Sequence, residues 1–231
     1  MSKLIEFIIN ILDNYHQKKI QVFFINKNIH IVIDVGAHKG EFISYIKNIK
    51  PKIIYAFEPQ KEIFKLLNKR FSKDKNIQLF NKALSDKNEN KDFYINSLSS
   101  TSSLLKPNEK SYWMRFKKII LNSSHLITKK INLITYTLDS ILLNKLPENK
   151  NILLKIDVEG NELNVIKGAL KIIKTKRIIY IQVENARNNI YERNNQETVH
   201  KFLINNGYIK IKSYLYPTLS FSDDIYLKKF Q

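Results

Sequence analysis

Cysteine is absent from this chain of 231 residues, which excludes disulfides, thiolate zinc sites and cysteine nucleophiles. No stretch approaches the roughly 18 uninterrupted apolar residues that a membrane-spanning helix needs, so the sequence reads as a soluble protein. The N-terminal segment MSKLIEFIINILDNYHQKK carries Glu6, Asn10 and Asp13 inside its apolar stretch and has no small-residue cleavage site, which argues against a secretory signal and for a cytoplasmic protein. Glycine and proline are scarce, with five of each, so a segment that uses two glycines calls for an explanation. Acidic residues are also outnumbered, 21 against 39 Lys and Arg, leaving a net charge of +18.

That charge suits nucleic acid, anionic lipid or an acidic glycan. A competing explanation is compositional: the chain is rich in Lys, Asn and Ile, as drift toward AT-rich codons produces, and its lysines are spread out rather than gathered in one block. Neither an aromatic-interleaved RNA motif nor an N/D-P-P-Y signature of amino-group methylation is present, which disfavours a nucleic-acid partner. Leu4, Ile5, Ile8, Ile11, Leu12 and Tyr15 recur at helical spacing. Residues 1–28 are therefore expected as a helical extension docked on the domain, with a peripheral membrane contact as the alternative. Oligomeric state leaves no mark in the sequence.

From residue 29 onward strands and helices alternate. HIVIDV (30–35), KIIYAFE (52–58), NIQLFN (76–81), NILLKIDV (151–158) and RIIYIQVE (177–184) are near-continuous apolar runs of strand length. Helical spacing follows in GEFISYIKNIK, in PQKEIFKLLNKRF, in NELNVIKGALKII (161–173) and in QETVHKFLINNG (196–207). YIKIKSY and DIYLKKF close the chain as an antiparallel pair. The rhythm changes between KDFYIN (91–96) and INLITY (131–136), so residues around 97–130 are expected as an insertion or lid, with a short helix over 109–121. Such alternation implies one α/β domain over 29–231, a mostly parallel sheet with helices on both faces. Ligands in these sheets sit beyond the C-terminal strand ends, which brings DVGAHKG, FEP, NKALSD, KIDVEGNE and VEN to one rim.

The two glycines lie in IDVGAHKG, where a strand ending in Asp34 turns through Gly36 and Gly40 into a helix. The spacing D-x-G-x-x-x-G is neither the G-x-G-x-x-G fingerprint nor a Walker loop, and Asp34 would repel a pyrophosphate while suiting an amino group. Glu58 ends the next strand, 24 positions on, where a carboxylate can accept ribose hydroxyls. An amine plus a ribose points to S-adenosylmethionine.

With IDVGAHKGEF, AFEPQKEIFKLL, NKALSDKN, TLDSIL and LLKIDVEGNELNVIKGA in this order, the sequence resembles the FkbM family of S-adenosylmethionine-dependent methyltransferases over roughly residues 30–230. The resemblance implies a class I (Rossmann-like) fold with a seven-stranded sheet, and methylation of hydroxyl oxygens on sugars, glycolipids or polyketide-like products. By position it places Asp34, Gly36, Ala37 and Gly40 around the methionine moiety, Glu58 with Pro59 at the ribose, and Ala83 and Leu84 beside adenine. His38 departs from the family, which more usually has a small or amide residue there.

KIDVEGNE is hard to explain by packing alone. With period two, Lys155 and Asp157 share a face, and burying either costs several kcal/mol unless they pair. Asp157 is the first choice for the base or for orienting the acceptor hydroxyl, Lys155 for tuning it, and Glu159 is the second base candidate. Glu162 and Glu184 add rim carboxylates. The set could hold a divalent cation, although no metal is the favoured reading. His125 is a further base candidate, more simply an exposed loop residue. SLSSTSS (97–103) would bond sugar hydroxyls or form a mobile turn; Tyr112 or Trp113 could stack on a sugar ring but more simply anchors the insertion to the core, and Arg115, Lys117 and Lys118 would favour a charged acceptor if they face the cleft. The expected reaction is O-methylation of a sugar, glycan or glycolipid hydroxyl, with a lipid- or polyketide-like alcohol as the alternative, and an RNA-binding or RNA-methylating protein as a weaker one.

Overall fold

The computed structural model describes residues 3–96, 101–106, 108, 127–186, 196–217 and 221–229. The chain opens with α1 (Lys3–Phe24) and runs through β1 (Ile31–Val35), α2 (Glu41–Ile46), β2 (Ile53–Phe57), α3 (Lys61–Phe71) and β3 (Ile77–Phe80). After β4 (Ala83–Leu84), β5 (Glu89–Asn96), β6 (Ile127–Tyr136) and α4 (Leu138–Leu142), the strand–helix rhythm resumes. It continues with β7 (Ile152–Ile156), α5 (Glu162–Gly168), α6 (Leu170–Thr175), β8 (Ile178–Ala186), α7 (Gln196–Asn205), β9 (Tyr208–Leu215) and β10 (Phe221–Lys228).

Seven strands form one sheet in the order β3-β2-β1-β7-β8-β10-β9, with β10 antiparallel to both its neighbours. Side chains alternate between its faces. Ile31, Ile33, Val35, Leu154 and Ile156 join a core with α4 to α7, while Val32, Ile54, Ala56 and Leu153 join a second core with α1, α2 and α3. Burial on both faces explains why the central strands read as continuous apolar runs. The chain builds outward from β1 to β3 and then crosses back to β7, so the strand order reverses between β1 and β7, where open α/β sheets bind ligands.

Two expectations are refined. The strands bracketing the insertion pair with each other, Glu89 opposite Thr135 through to Asn96 opposite Ile127, and with β4 they make a separate three-stranded sheet. Their half-buried alternation suits a sheet covered on one side only. The single helix expected over 161–173 is two, broken at Ala169 (φ −109°, ψ 10°). The break follows Gly168, whose backbone presses so closely on the Ser85 carbonyl that a Cβ there would lie 2.0 Å from its oxygen. The helix expected over 109–121 lies outside the described residues.

α1 lies against the α1–α3 face of the sheet. Ile20 and Phe24 are fully buried, the Phe24 ring meets Tyr180 edge to face, and His16 Nε2 sits 2.7 Å from Asp223 Oδ2 on β10.

Candidate active site

The turn after β1 is built on positive backbone angles. Gly36 has φ +85°, and a Cβ on it would come 1.7 Å from the Asp157 carbonyl oxygen, so both the conformation and the close approach require glycine. Gly40 has φ +86° and abuts the Phe71 ring, where a Cβ would meet Cε2 at 2.2 Å. Gly36 and Ala37 donate their N–H groups to the Phe57 carbonyl, which ties the turn to the end of β2. His38 also adopts a left-handed conformation (φ +48°), and its N–H donates to Glu58 Oε2 at 3.0 Å.

Beneath the turn, Asp34 on β1 and Lys155 on β7 are register partners, and Asp157 lies two residues on, on the same face. Lys155 Nζ is 3.2 Å from Asp34 Oδ1 and 3.2 Å from Asp157 Oδ2, and it donates to the Gly36 carbonyl at 3.2 Å. Burial works against its charge, but the two carboxylates outweigh burial and hold its pKa above the ordinary lysine range. Lys155 is thus a fixed cation. Asp34 is fully buried, and neither of its oxygens has a directed hydrogen bond among the described residues, so its contact with Lys155 is one of charge rather than of aligned donor and acceptor. Burial pushes its pKa up against the pull of Lys155. Two carboxylates around one ammonium leave an excess negative charge at the switch point.

Glu58, at the end of β2, is also buried. Its carboxylate accepts from Gln60 N at 2.8 Å and from His38 N at 3.0 Å, and burial nevertheless raises its pKa to about 7. A carboxylate has about four lone-pair sites, so acceptor capacity remains. Pro59 follows at the rim, where its carbonyl accepts from Asn81 Nδ2. Ala83 and Leu84 are buried in β4, and the Leu84 carbonyl accepts from Asn161 Nδ2.

A second acidic group stands beside this one. Asp157, Glu159 and Glu184 each bring a carboxylate oxygen within 4.8 Å of the others. Glu159 sits in a left-handed conformation (φ +57°), and its carbonyl accepts from Ser103 Oγ at 2.6 Å. Burial, then the charges of Asp157, Glu159, Asp223 and Glu162, push the pKa of Glu184 well above the usual carboxylate range. Glu184 was legible only as one more carboxylate, because its approach depends on β8 lying next to β7. Glu162 turns inward instead: it accepts from Val158 N and Gly160 N, and burial raises its pKa to about 7. The Ser/Thr segment is engaged internally where it is described. Ser102 Oγ accepts from Asn96 N, and Ser103 pairs with Tyr94 in a bridge. His125, Tyr112, Trp113, Arg115, Lys117 and Lys118 lie outside the described residues.

Comparison with known proteins matches the methyltransferase FkbM domain to residues 34–210. The chain belongs to the FkbM methyltransferase family. It is therefore an S-adenosylmethionine-dependent methyltransferase. Among solved structures it resembles magnesium protoporphyrin IX methyltransferase from Synechocystis PCC 6803, with TM-score 0.55 and 8% identity over 99% of this chain and 86% of that one. An uncharacterized protein from Listeria monocytogenes serotype 4b gives TM-score 0.51 and 8% identity over 93% of this chain and 67% of that one. These likenesses show a class I methyltransferase fold. No curated protein matches the chain. The FkbM match begins at Asp34, so α1 and most of β1 precede the residues it covers.

Proposed function

We propose that this FkbM protein transfers the methyl group of S-adenosylmethionine to a hydroxyl oxygen of a sugar, glycan or glycolipid. The observation that carries the reading is the carboxylate group of Asp157, Glu159 and Glu184 beside the Asp34–Lys155 pair, all at the reversal of strand order. An alcohol is a poor nucleophile while it keeps its proton, and a positioned base contributes roughly 10²–10⁴-fold. Carboxylates are also good acceptors for sugar hydroxyls.

The residues present fit the cofactor. Asp34, buried with undirected oxygens, and the surplus negative charge around Lys155 suit a ligand carrying an ammonium and a sulfonium. Gly36, Ala37 and Gly40 keep the turn free of bulk, Glu58 beside Pro59 offers acceptors to ribose hydroxyls, and the backbone at Ala83 and Leu84 flanks the adenine. S-adenosylmethionine supplies an electrophilic methyl group. The protein holds the acceptor oxygen in line and manages its proton. Lys155 anchors Asp157 through Oδ2, so Asp157 orients the acceptor hydroxyl and takes its proton. Glu184, held more basic by burial and by its acidic neighbours, shares that proton once it is itself ionised.

Calorimetric titration with S-adenosylmethionine and S-adenosylhomocysteine tests the cofactor site. Saturable binding that Glu58→Ala weakens at least tenfold is expected, and undiminished affinity in that variant would undo the assignment. A screen of glycan, glycolipid and lipid-alcohol acceptors for methyl transfer then tests the substrate class, with methylation confined to non-sugar alcohols as the contrary result.

A further inference from the structure

The side of α1 that faces away from the sheet carries an apolar stripe. Ile11, Tyr15 and Val22 are 50%, 55% and 58% exposed, and Ile25, just past the helix end, is 46% exposed. With Lys18 between them they follow one another at steps of four, three, four and three residues, the spacing of a single helix face. Lys18, Lys19 and Lys27 are exposed around the stripe, and Lys19 lies over the Tyr15 ring at 4.3 Å. Between residues 11 and 28 the one acidic side chain is Asp13, part-buried and bonded by the Tyr216 hydroxyl, so nothing negative is exposed there. The neighbouring edge strand β9 extends the surface with exposed Ile211, Lys212 and Leu215, and Phe23 of α1 meets its Tyr214 ring at 6.4 Å.

We propose that this face of α1 docks on an anionic lipid surface, and that the methyl acceptor is presented from that surface. The second half rests on the methyl-transfer reading above. Charge decides the occupant: two copies meeting through the stripe would set lysines against lysines, whereas anionic headgroups attract lysines while the apolar side chains enter the interface. The inner side of the same helix bonds Asp223, which pairs in register with Glu184. The helix that would meet the membrane therefore packs on the strand next to Glu184, which puts the docked surface on the same side of the fold as part of the acidic rim.

Co-sedimentation of the full chain with vesicles of phosphatidylglycerol and phosphatidylcholine, against phosphatidylcholine alone, tests the docking. The expected result is binding to the anionic vesicles only. It should weaken on the order of tenfold in Ile11→Ser with Val22→Ser, and about fivefold for each of Lys18→Gln and Lys19→Gln. These side chains are exposed, so far-ultraviolet circular dichroism and the cofactor titration should match the parent. Anionic-vesicle binding that ignores the Ile11 and Val22 changes would overturn the proposal, as would equal binding to phosphatidylcholine, or a dimer in solution that those changes dissociate. Vesicle binding is read without cofactor or acceptor, so its failure leaves the methyl-transfer reading standing.

Discussion

Lys155→Met keeps the length of the side chain and removes its charge, leaving Asp34 and Asp157 without the ammonium that lies 3.2 Å from each. Removing one partner of a buried pair costs about 3–5 kcal/mol, because the other charge stays buried and uncompensated. At about 2–4 °C per kcal/mol for a domain of this size, the melting temperature should fall by about 6–20 °C near pH 8. The sign of the pH dependence follows from the carboxylate left behind. Asp34 already has a raised pKa from burial, and losing Lys155 raises it further. A carboxyl whose folded pKa exceeds its unfolded value stabilises fully below the unfolded pKa and progressively less as pH rises through the folded one. The deficit of Lys155→Met should therefore shrink toward pH 5. Lys155 itself is raised above its ordinary value, so its own contribution is lost only in strong alkali and stays constant across this window. Adding Asp34→Asn should recover part of the loss. Differential scanning calorimetry reads all of this, and a fall below about 2 °C, or one equal at pH 5 and pH 8, would refute the pairing as the reason a lysine stands in a central strand.

Asp157→Asn should keep cofactor affinity within about twofold and lose on the order of 10²–10⁴ in turnover, with unchanged turnover removing Asp157 from the chemistry. Turnover should rise with pH as Glu184 ionises, and in Glu184→Gln that limb should disappear from the kcat profile. Cofactor affinity should decline as pH falls below about 7, because Glu58 titrates there and only its ionised form offers all its oxygens to ribose; calorimetry across pH would find a flat profile if that role is wrong. Gly36→Ala should destabilise the domain or abolish folding, since its Cβ would stand 1.7 Å from the Asp157 carbonyl. Chelation with EDTA should leave turnover within about twofold if Asp157 acts as the base without a metal, whereas a loss that a divalent cation restores would put an ion among Asp157, Glu159 and Glu184.

The strands were legible because burial on both faces leaves an apolar run that polar drift elsewhere in a lysine-rich chain does not blur. Period two put Lys155 and Asp157 on one face before any coordinates, and Lys155 Nζ lies 3.2 Å from Asp157 Oδ2. The third member of that group, Asp34, could be recognised as a rim residue but not as a partner of Lys155, because their approach is set by which strands are neighbours. The crossing from β3 back to β7 is a property of the whole sheet. The same holds for Glu184, and for Ser103, whose bond to the Glu159 carbonyl spans 56 residues. A helical pattern likewise could not announce the close approach of Gly168 to the Ser85 carbonyl, a contact made across the fold.

The formal charge of +18 conceals a separation that bears on function. Among the described residues Asp34, Glu58, Asp157, Glu159, Glu162 and Glu184 gather at the C-terminal ends of β1, β2, β7 and β8, with Lys155 as the buried cation among them. Buried carboxylates are costly, and a drift in composition toward lysine would not place them side by side, so this arrangement needs a cause other than the one that spread the lysines. The pKa values of Glu58, Glu162 and Glu184 are raised, which means that folding holds these groups at a cost. Glu162 recovers its cost by capping the turn that carries Glu159. Lys155 offsets part of the cost at Asp34, and two backbone N–H groups offset part of it at Glu58. In the proposed reading the remainder, and the cost at Glu184, is met by a ligand with a positive amine, a positive sulfur and ribose hydroxyls.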